Sequence, residues 1–307
     1  MPKMITQKLI KQVSEDNNLE KPDSEFALNY LEYYYVDNKV KALAQTDVLP
    51  IVKKFQKTFG LKVTGKLDAQ TVRAMHWPRC GCPDYKVMKA AAGPQASKWG
   101  PKKLTYFVEK YVSGISKADQ DDILEMSYQQ WENHCQLDIT RVTSKSQANM
   151  IVSTGSGRGD NFDGPGGTLA WAYLPPNNNY NGQLLMRFDI AESWIVNARD
   201  RGVLLLNVAC HEFGHFLGLD HSQSKRALMA PYYTAGITKP QPVDDIPRIQ
   251  RLYGMPKPTD PVDPVDPVDP VDPVDPTPGA HRVEISGIKN LGQVKIDGRN
   301  LTDFSLI

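Results

Sequence analysis

The sequence predicts an α+β protein: an all-α bundle near the N-terminus, then a larger domain whose strands and helices share one core. Three observations carry this. Between residues 24 and 73, apolar residues recur at three- and four-residue spacing, the period of one helix face. Between 103 and 189, five short runs rich in β-branched and aromatic residues alternate with breaks rich in glycine and asparagine. Helical spacing then returns near 200–217 and in DDIPRIQRLYG, so helix, strands and helix follow one another in a single segment.

Residues 1–22 are polar and are expected to be loosely held. SEFALNYLEYYYV and VLPIVKKFQKTFG give two helices, and LDAQTVRAM a third with Asp68 as N-cap. Gly60 and Gly65 punctuate the connection between them. In this three-helix bundle the aromatic stripe Phe26, Tyr30, Tyr34, Phe55 and Phe59 is expected to be core rather than binding face. Residues 80–103 contain Gly93, Pro94, Gly100 and Pro101 and read as an exposed connector. KLTYFV is a strand, Ser116 caps a helix through ADQDDILEMSYQQWENH, and LDITRV, NMIVS, TLAWAYL and LLMRFD are strands.

Proline at every third position of DPVDPVDPVDPVDPVDP, residues 260–276, matches the three-residue turn of polyproline II. At about 3.1 Å per residue it makes a stiff spacer of roughly 50 Å. The remainder alternates like two or three short strands, too few residues to bury much alone. The expected boundaries are a flexible 1–22, a bundle at 23–84, a connector at 85–99, the α+β domain at 100–254, the linker at 255–278 and a β-rich tail at 279–307.

With 307 residues, a net charge of +1 and 40% apolar residues, the chain can build a sizeable core and carries no basic block for a nucleic-acid partner. No apolar run reaches the roughly 18 residues of a membrane span, and no secretory signal is visible. Four cysteines, at 80, 82, 135 and 210, make a poor disulfide framework for this length.

Chemistry concentrates in HEFGHFLGLDH, residues 211–221. His211 and His215 lie four residues apart on a helix, so both imidazoles face one metal, and Glu212 beside them can reach a metal-held water without ligating. Gly218 can turn the chain out of the helix so that His221 returns as third ligand. Three neutral imidazoles leave the fourth position of a tetrahedral zinc open, the catalytic arrangement. PRCGCPD, residues 78–84, holds Cys80 and Cys82 one glycine apart; a redox pair, half a metal site and one functional thiol are all open, although CxC is tight for a disulfide. Cys135 and Cys210 read as buried small apolar residues.

HExxHxxGxxH followed by a methionine turn, here Met229 in ALMAPYY, is the metzincin signature. The fuller match is to the matrixins, the matrix metalloproteinases. PRCGCPD, FDGPGGTLA, FDIAESW, HEFGHFLGLDHS, ALMAPYY and DDIPRIQRLYG all resemble their pattern, and FQKTFGLKVTGKLDAQTVRAM resembles their peptidoglycan-binding-like propeptide. The resemblance covers about 24–254. It implies a metzincin catalytic domain, a twisted and mostly parallel sheet with three helices, behind an all-α propeptide. The implied activity is a latent zinc endopeptidase that hydrolyses extended protein substrates with a zinc-held water activated by Glu212. Cys80 is then the zymogen's zinc ligand, with Arg79 and Asp84 pairing to hold the loop, until a cut in the connector releases it. Cys82 stands where the family loop carries an apolar residue.

The resemblance further implies a calcium site with carboxylates from Asp163, Asp189 and Glu192 and carbonyls from Gly164, Gly166 and Thr168. A second calcium site is weakened by Asn149 and Leu185. Substrate is expected to add as a strand along Leu169 and Ala170, with Pro231 and Tyr233 walling the pocket just after the cut and Asn207 at its floor. The family's structural zinc maps onto Arg158, Asp160, Trp171 and Arg187. Arginine and indole offer no lone pair to a metal, so no zinc is expected there, and an Asp160–arginine pair against Trp171 is expected in its place. Partners are protein substrates and the chain's own propeptide; a monomer, acting outside the cell, is expected. A non-catalytic binding protein of the same fold is the alternative, but an inactive protein needs neither Glu212 nor an inhibitory cysteine.

Overall fold

The computed structural model describes residues 5–36, 43, 45–84, 97–256, 295–296 and 299–300. Most of the expected connector, the Asp-Pro-Val spacer and most of the tail therefore lie outside the described residues. The chain divides into two compact units, residues 1–258 and 259–307. In the second, Lys295–Ile296 and Arg299–Asn300 form an antiparallel pair.

The first unit begins with four helices: α1 (Gln7–Asn17), α2 (Lys21–Tyr35), α3 (Gln45–Phe59) and α4 (Ala69–Met75). Helix α1 corrects the expectation for residues 1–22. Thr6 caps it by accepting from Leu9 N, and Leu9, Ile10 and Val13 are buried in the bundle core. Three apolar residues on one face were enough to dock an otherwise polar segment. Asp68 caps α4 as expected, accepting from Thr71 N.

Strand β1 is only Arg79–Cys80. After it come β2 (Lys103–Val108), α5 (Lys117–Glu132), β3 (Asp138–Arg141), β4 (Met150–Gly155), β5 (Thr168–Ala172) and β6 (Leu184–Asp189). Two short strands, β7 (Trp194–Ile195) and β8 (Val203–Leu204), then pair with each other and lead into α6 (Leu205–Phe216) and α7 (Asp245–Tyr253). The six-stranded sheet has the order β1-β5-β6-β4-β2-β3. All its pairings are parallel except β5 with β6. Ser116 caps α5 through Asp119 N, as its sequence indicated.

Helix α6 packs against α5 and β5. Trp131 of α5, fully buried, donates from Nε1 to Cys210 O at 2.8 Å, and Phe213 meets Tyr106 and Tyr128 edge-on. Trp99 donates from Nε1 to Phe216 O at 2.6 Å, tying the start of the domain to the end of α6. Cys135 and Cys210 are buried and unbridged, as expected, and so are Cys80 and Cys82.

Candidate active site

Helix α6 carries His211, Glu212 and His215, and Gly218 ends it with φ +96, a conformation that favours glycine. The turn brings His221 back: its ring centroid lies 5.3 Å from that of His211 and 4.8 Å from that of His215. The three Nδ1 atoms are all engaged, by Leu228 O at 2.7 Å for His211, Leu219 O at 2.7 Å for His215 and Asp84 Oδ1 at 2.6 Å for His221. Each of these acceptors requires an Nδ1–H, which makes each Nε2 the unprotonated nitrogen, the form that can ligate a metal. The Nε2 atoms of His211 and His215 lie 3.1 Å apart, and that of His221 is buried without a hydrogen-bond partner.

Cys80 completes the set, with its Sγ 3.4 Å from His215 Nε2. Cys80, His211, His215 and His221 bring all four ligand atoms within 4.8 Å of one another. Burial and the neighbouring His221 push His211 down to about 3, so the imidazole is neutral. Burial pushes the Cys80 thiol well up, and Cys82 adds to this. A thiolate is therefore costly here unless a cation sits among the donors. One soft sulfur and three imidazoles fit zinc.

Both oxygens of Glu212 are buried without a hydrogen-bond partner, and burial pushes its carboxyl well above the usual range. Met229 is fully buried against Gly214 of α6, where an added Cβ would collide with its Sδ. Asp245 holds this turn, accepting from Leu228 N at 2.7 Å and Met229 N at 3.3 Å.

The Cys80 segment is bonded through its backbone on both sides. Arg79 N donates to Gly167 O at 2.9 Å and Gly81 N to Ala170 O at 2.7 Å on one side; Cys80 N donates to Pro231 O at 2.9 Å and Tyr233 N to Pro78 O at 2.8 Å on the other. Leu169, Asn207, Pro231 and Tyr233 line a pocket beside His211 and Glu212. The Asn207 amide donates to Thr234 O at 3.0 Å and to Ile237 O, fastening the loop that closes it.

Arg79 is the best-anchored residue of the segment. Its guanidinium pairs with both Asp84 oxygens at 3.0 Å, donates to Tyr30 Oη at 2.6 Å and to Cys80 O at 2.9 Å, and lies 3.5 Å from the Tyr34 ring centroid. The aromatic stripe is core, as expected: Tyr30, Tyr34, Phe55 and Phe59 are buried in the bundle core and Phe26 packs against it. Two of its members carry contacts the sequence did not reveal: Tyr30 grips Arg79, and Tyr34 both stacks on it and meets Thr168 Oγ1 at 3.0 Å. The contact of Asp84 with a zinc-site histidine was also missed; 137 residues separate the two.

Around the expected calcium ligands, Asp163 Oδ1 accepts from Thr168 N and Glu192 Oε1 from Gly166 N, both at 2.7 Å. Asp189 Oδ2 is buried without a partner. Burial pushes Asp189 and Glu192 upward and Asp163 adds repulsion to both, so a hard cation would relieve all three. Gly164 and Gly166 have φ of +95 and +85, a backbone conformation that favours glycine. The positions of the expected absent zinc do not fit a metal. Arg187 pairs with Asp160 and its Cζ lies 5.8 Å from the Trp171 ring, while Trp171 Nε1 donates to Asp160 O at 2.8 Å and Arg158 is exposed.

The matrixin family model matches residues 98–254, and the model described as "Putative peptidoglycan binding domain" matches 27–75. Interstitial collagenase of Bos taurus is 42% identical over 240 residues, 76% of this chain and 50% of that protein. Interstitial collagenase of Equus caballus is 40% identical over 76% of this chain and 50% of its own length, and matrix metalloproteinase-20 of Homo sapiens 38% over 73% and 47%. The chain spans about half the length of the curated relatives it matches. Among the described residues no helix is long and apolar enough to cross a membrane. The histidine constellation, the sheet around it and these matches agree: the chain belongs to the matrixin family of zinc metalloendopeptidases.

Proposed function

We infer that this chain is a latent zinc endopeptidase of extended protein substrates, acting outside the cell and restrained by its own Cys80. The observation that carries this is the closed donor set, with Cys80 Sγ 3.4 Å from His215 Nε2 where the three histidines converge. A bound zinc lowers the pKa of a water it holds and polarises the carbonyl to be attacked. His211, His215 and His221 would hold it, and Cys80 would take the place of that water in the latent chain.

Glu212, with both oxygens free of other bonds, is the group to take the water's proton and return it to the leaving amine. Substrate would add along Gly167–Ala170 and Pro231–Tyr233, the backbone now paired with residues 78–81, so the propeptide and substrate compete for the same hydrogen bonds. Asp163, Asp189 and Glu192, with the carbonyls of Gly164, Gly166 and Thr168, would hold calcium and stiffen the loop into β5.

The test is hydrolysis of a quenched fluorogenic peptide by the chain before and after cleavage of its connector, with and without chelator. Cleavage should raise the rate and chelation abolish it. Glu212→Ala should keep zinc and fold but lose turnover; near-normal turnover in that variant overturns the assignment.

A further inference from the structure

Asp84 is buried in the propeptide segment yet is bonded to the protease domain's own histidine. Its Oδ1 is shared: 3.0 Å from Arg79 Nη2 and 2.6 Å from His221 Nδ1. The other two histidines find their Nδ1 acceptors in backbone carbonyls of the protease domain, Leu228 O and Leu219 O. His221 alone of the three takes its acceptor from the propeptide, and its Nε2 has no protein partner. A carboxylate that accepts from the far nitrogen of a ligating imidazole fixes its tautomer and rotation and makes it a stronger donor.

We propose that Asp84 is a positioning residue for the metal, so that the propeptide supplies the outer partner of the third histidine as well as the blocking thiol. Resting on the zinc reading above, this makes the latent chain the tighter metal binder. Release of the propeptide withdraws Cys80 and at the same moment strips His221 of its acceptor. The propeptide thereby acts in loading and retaining zinc, separately from covering the cleft. Arg79 serves both functions, since its pairing with Asp84 holds the carboxylate charged and aimed.

The experiment is a zinc competition titration of the full chain against a chromogenic chelator, wild type beside Asp84→Asn, with hydrogen exchange of the three imidazole Nδ1–H protons followed by nuclear magnetic resonance. Loss of such an outer partner costs on the order of 10–100-fold in metal affinity. The asparagine variant should weaken zinc by that factor and speed exchange at His221 alone. An affinity within threefold of wild type, or exchange speeding equally at His211, His215 and His221, overturns the proposal. Should the variant not fold, the wild-type chain decides: cleaving off the propeptide must expose the His221 proton to exchange while those of His211 and His215 stay protected, and a His221 proton that stays protected refutes it. A wild-type chain that takes up no zinc would instead refute the functional reading.

Discussion

Replacing Arg79 by alanine should make the uncleaved chain leak activity. Arg79 is 1% exposed and Asp84 5%, so the pair is desolvated at both ends. Removing one partner of a buried pair typically costs 3–5 kcal/mol, because the other charge is left buried without compensation. Asp84 keeps its bond from His221, which argues for the lower end, about 3 kcal/mol. Tyr30 also loses its Arg79 partner while remaining buried, which acts in the same direction. None of these contacts survives when the segment lifts from the cleft, so the cost falls on the closed state alone. At about 1.4 kcal/mol per tenfold, the open fraction should rise roughly 100-fold. The assay is fluorogenic peptide hydrolysis by intact chain, expressed as a fraction of the rate after full processing. A leak within about threefold of wild type would refute the claim that this pair holds the segment closed.

Cys80→Ser should lose latency and Cys82→Ser keep it, read by the same ratio; Cys82 Sγ lies within 4.8 Å of His215 and Glu212 ligand atoms but donates to Ala172 O at 3.2 Å, and only Cys80 groups with all three histidines, so the reverse result would mean the switch thiol is misassigned. Asn207→Ala should free the loop at Thr234–Ile237 and shift kcat/KM about tenfold towards larger side chains after the cut, measured across a peptide series; an unchanged ratio removes Asn207 from specificity. Burial pushes the Glu132 carboxyl up to about 7 from an unfolded value near 4.5, so the fold binds that proton more tightly and stability falls as pH rises between those values. Glu132→Gln should remove that slope and be more stable than wild type by about 1–2 kcal/mol at pH 8, half the full shift because the group is half exposed, with equal urea midpoints below about pH 4. A variant no more stable at pH 8 would contradict this.

Five of the protease domain's strands and its helices were legible because each is long enough to show its period, and LLMRFD reads as it folds, Leu184–Asp189, whereas the two-residue β7 and β8 were not. The histidine set was legible because its spacing is local: four residues on a helix, a glycine turn and a return. What was hidden depends on surfaces meeting. Strand β1 has two residues, and only the β5 edge makes them a strand. Tyr30 and Tyr34 sit at helical spacing among core aromatics, and nothing local distinguishes them from Phe55; a buried guanidinium 49 residues from Tyr30 does. Helix α1 was missed for another reason, since Leu9, Ile10 and Val13 form a short apolar face that polar flanks outweighed in composition.

The Asp160–Arg187 pair against Trp171 shows how far residue chemistry alone can carry a prediction. Trp171 and Arg187 are directly opposed in the antiparallel β5–β6 pairing, so their side chains share one face of the sheet. Asp160 reaches that face from the loop after β4, where its carboxylate also accepts from Ser156 N at 3.0 Å. The ion pair, the indole N–H to Asp160 O and the guanidinium beside the ring fasten the loop to two strands without a metal. Arginine is 28% and aspartate 33% exposed at the side chain, so this fastening resists salt only in part. Elemental analysis of the full chain should give one zinc per chain. Asp160→Asn should leave that count unchanged and open the loop at 156–162 to limited proteolysis, the more so at low salt where the wild-type pair is strongest. Two tightly held zincs in the wild type would refute this metal-free fastening. Loss of the one zinc in the variant would show instead that the pair supports the catalytic site.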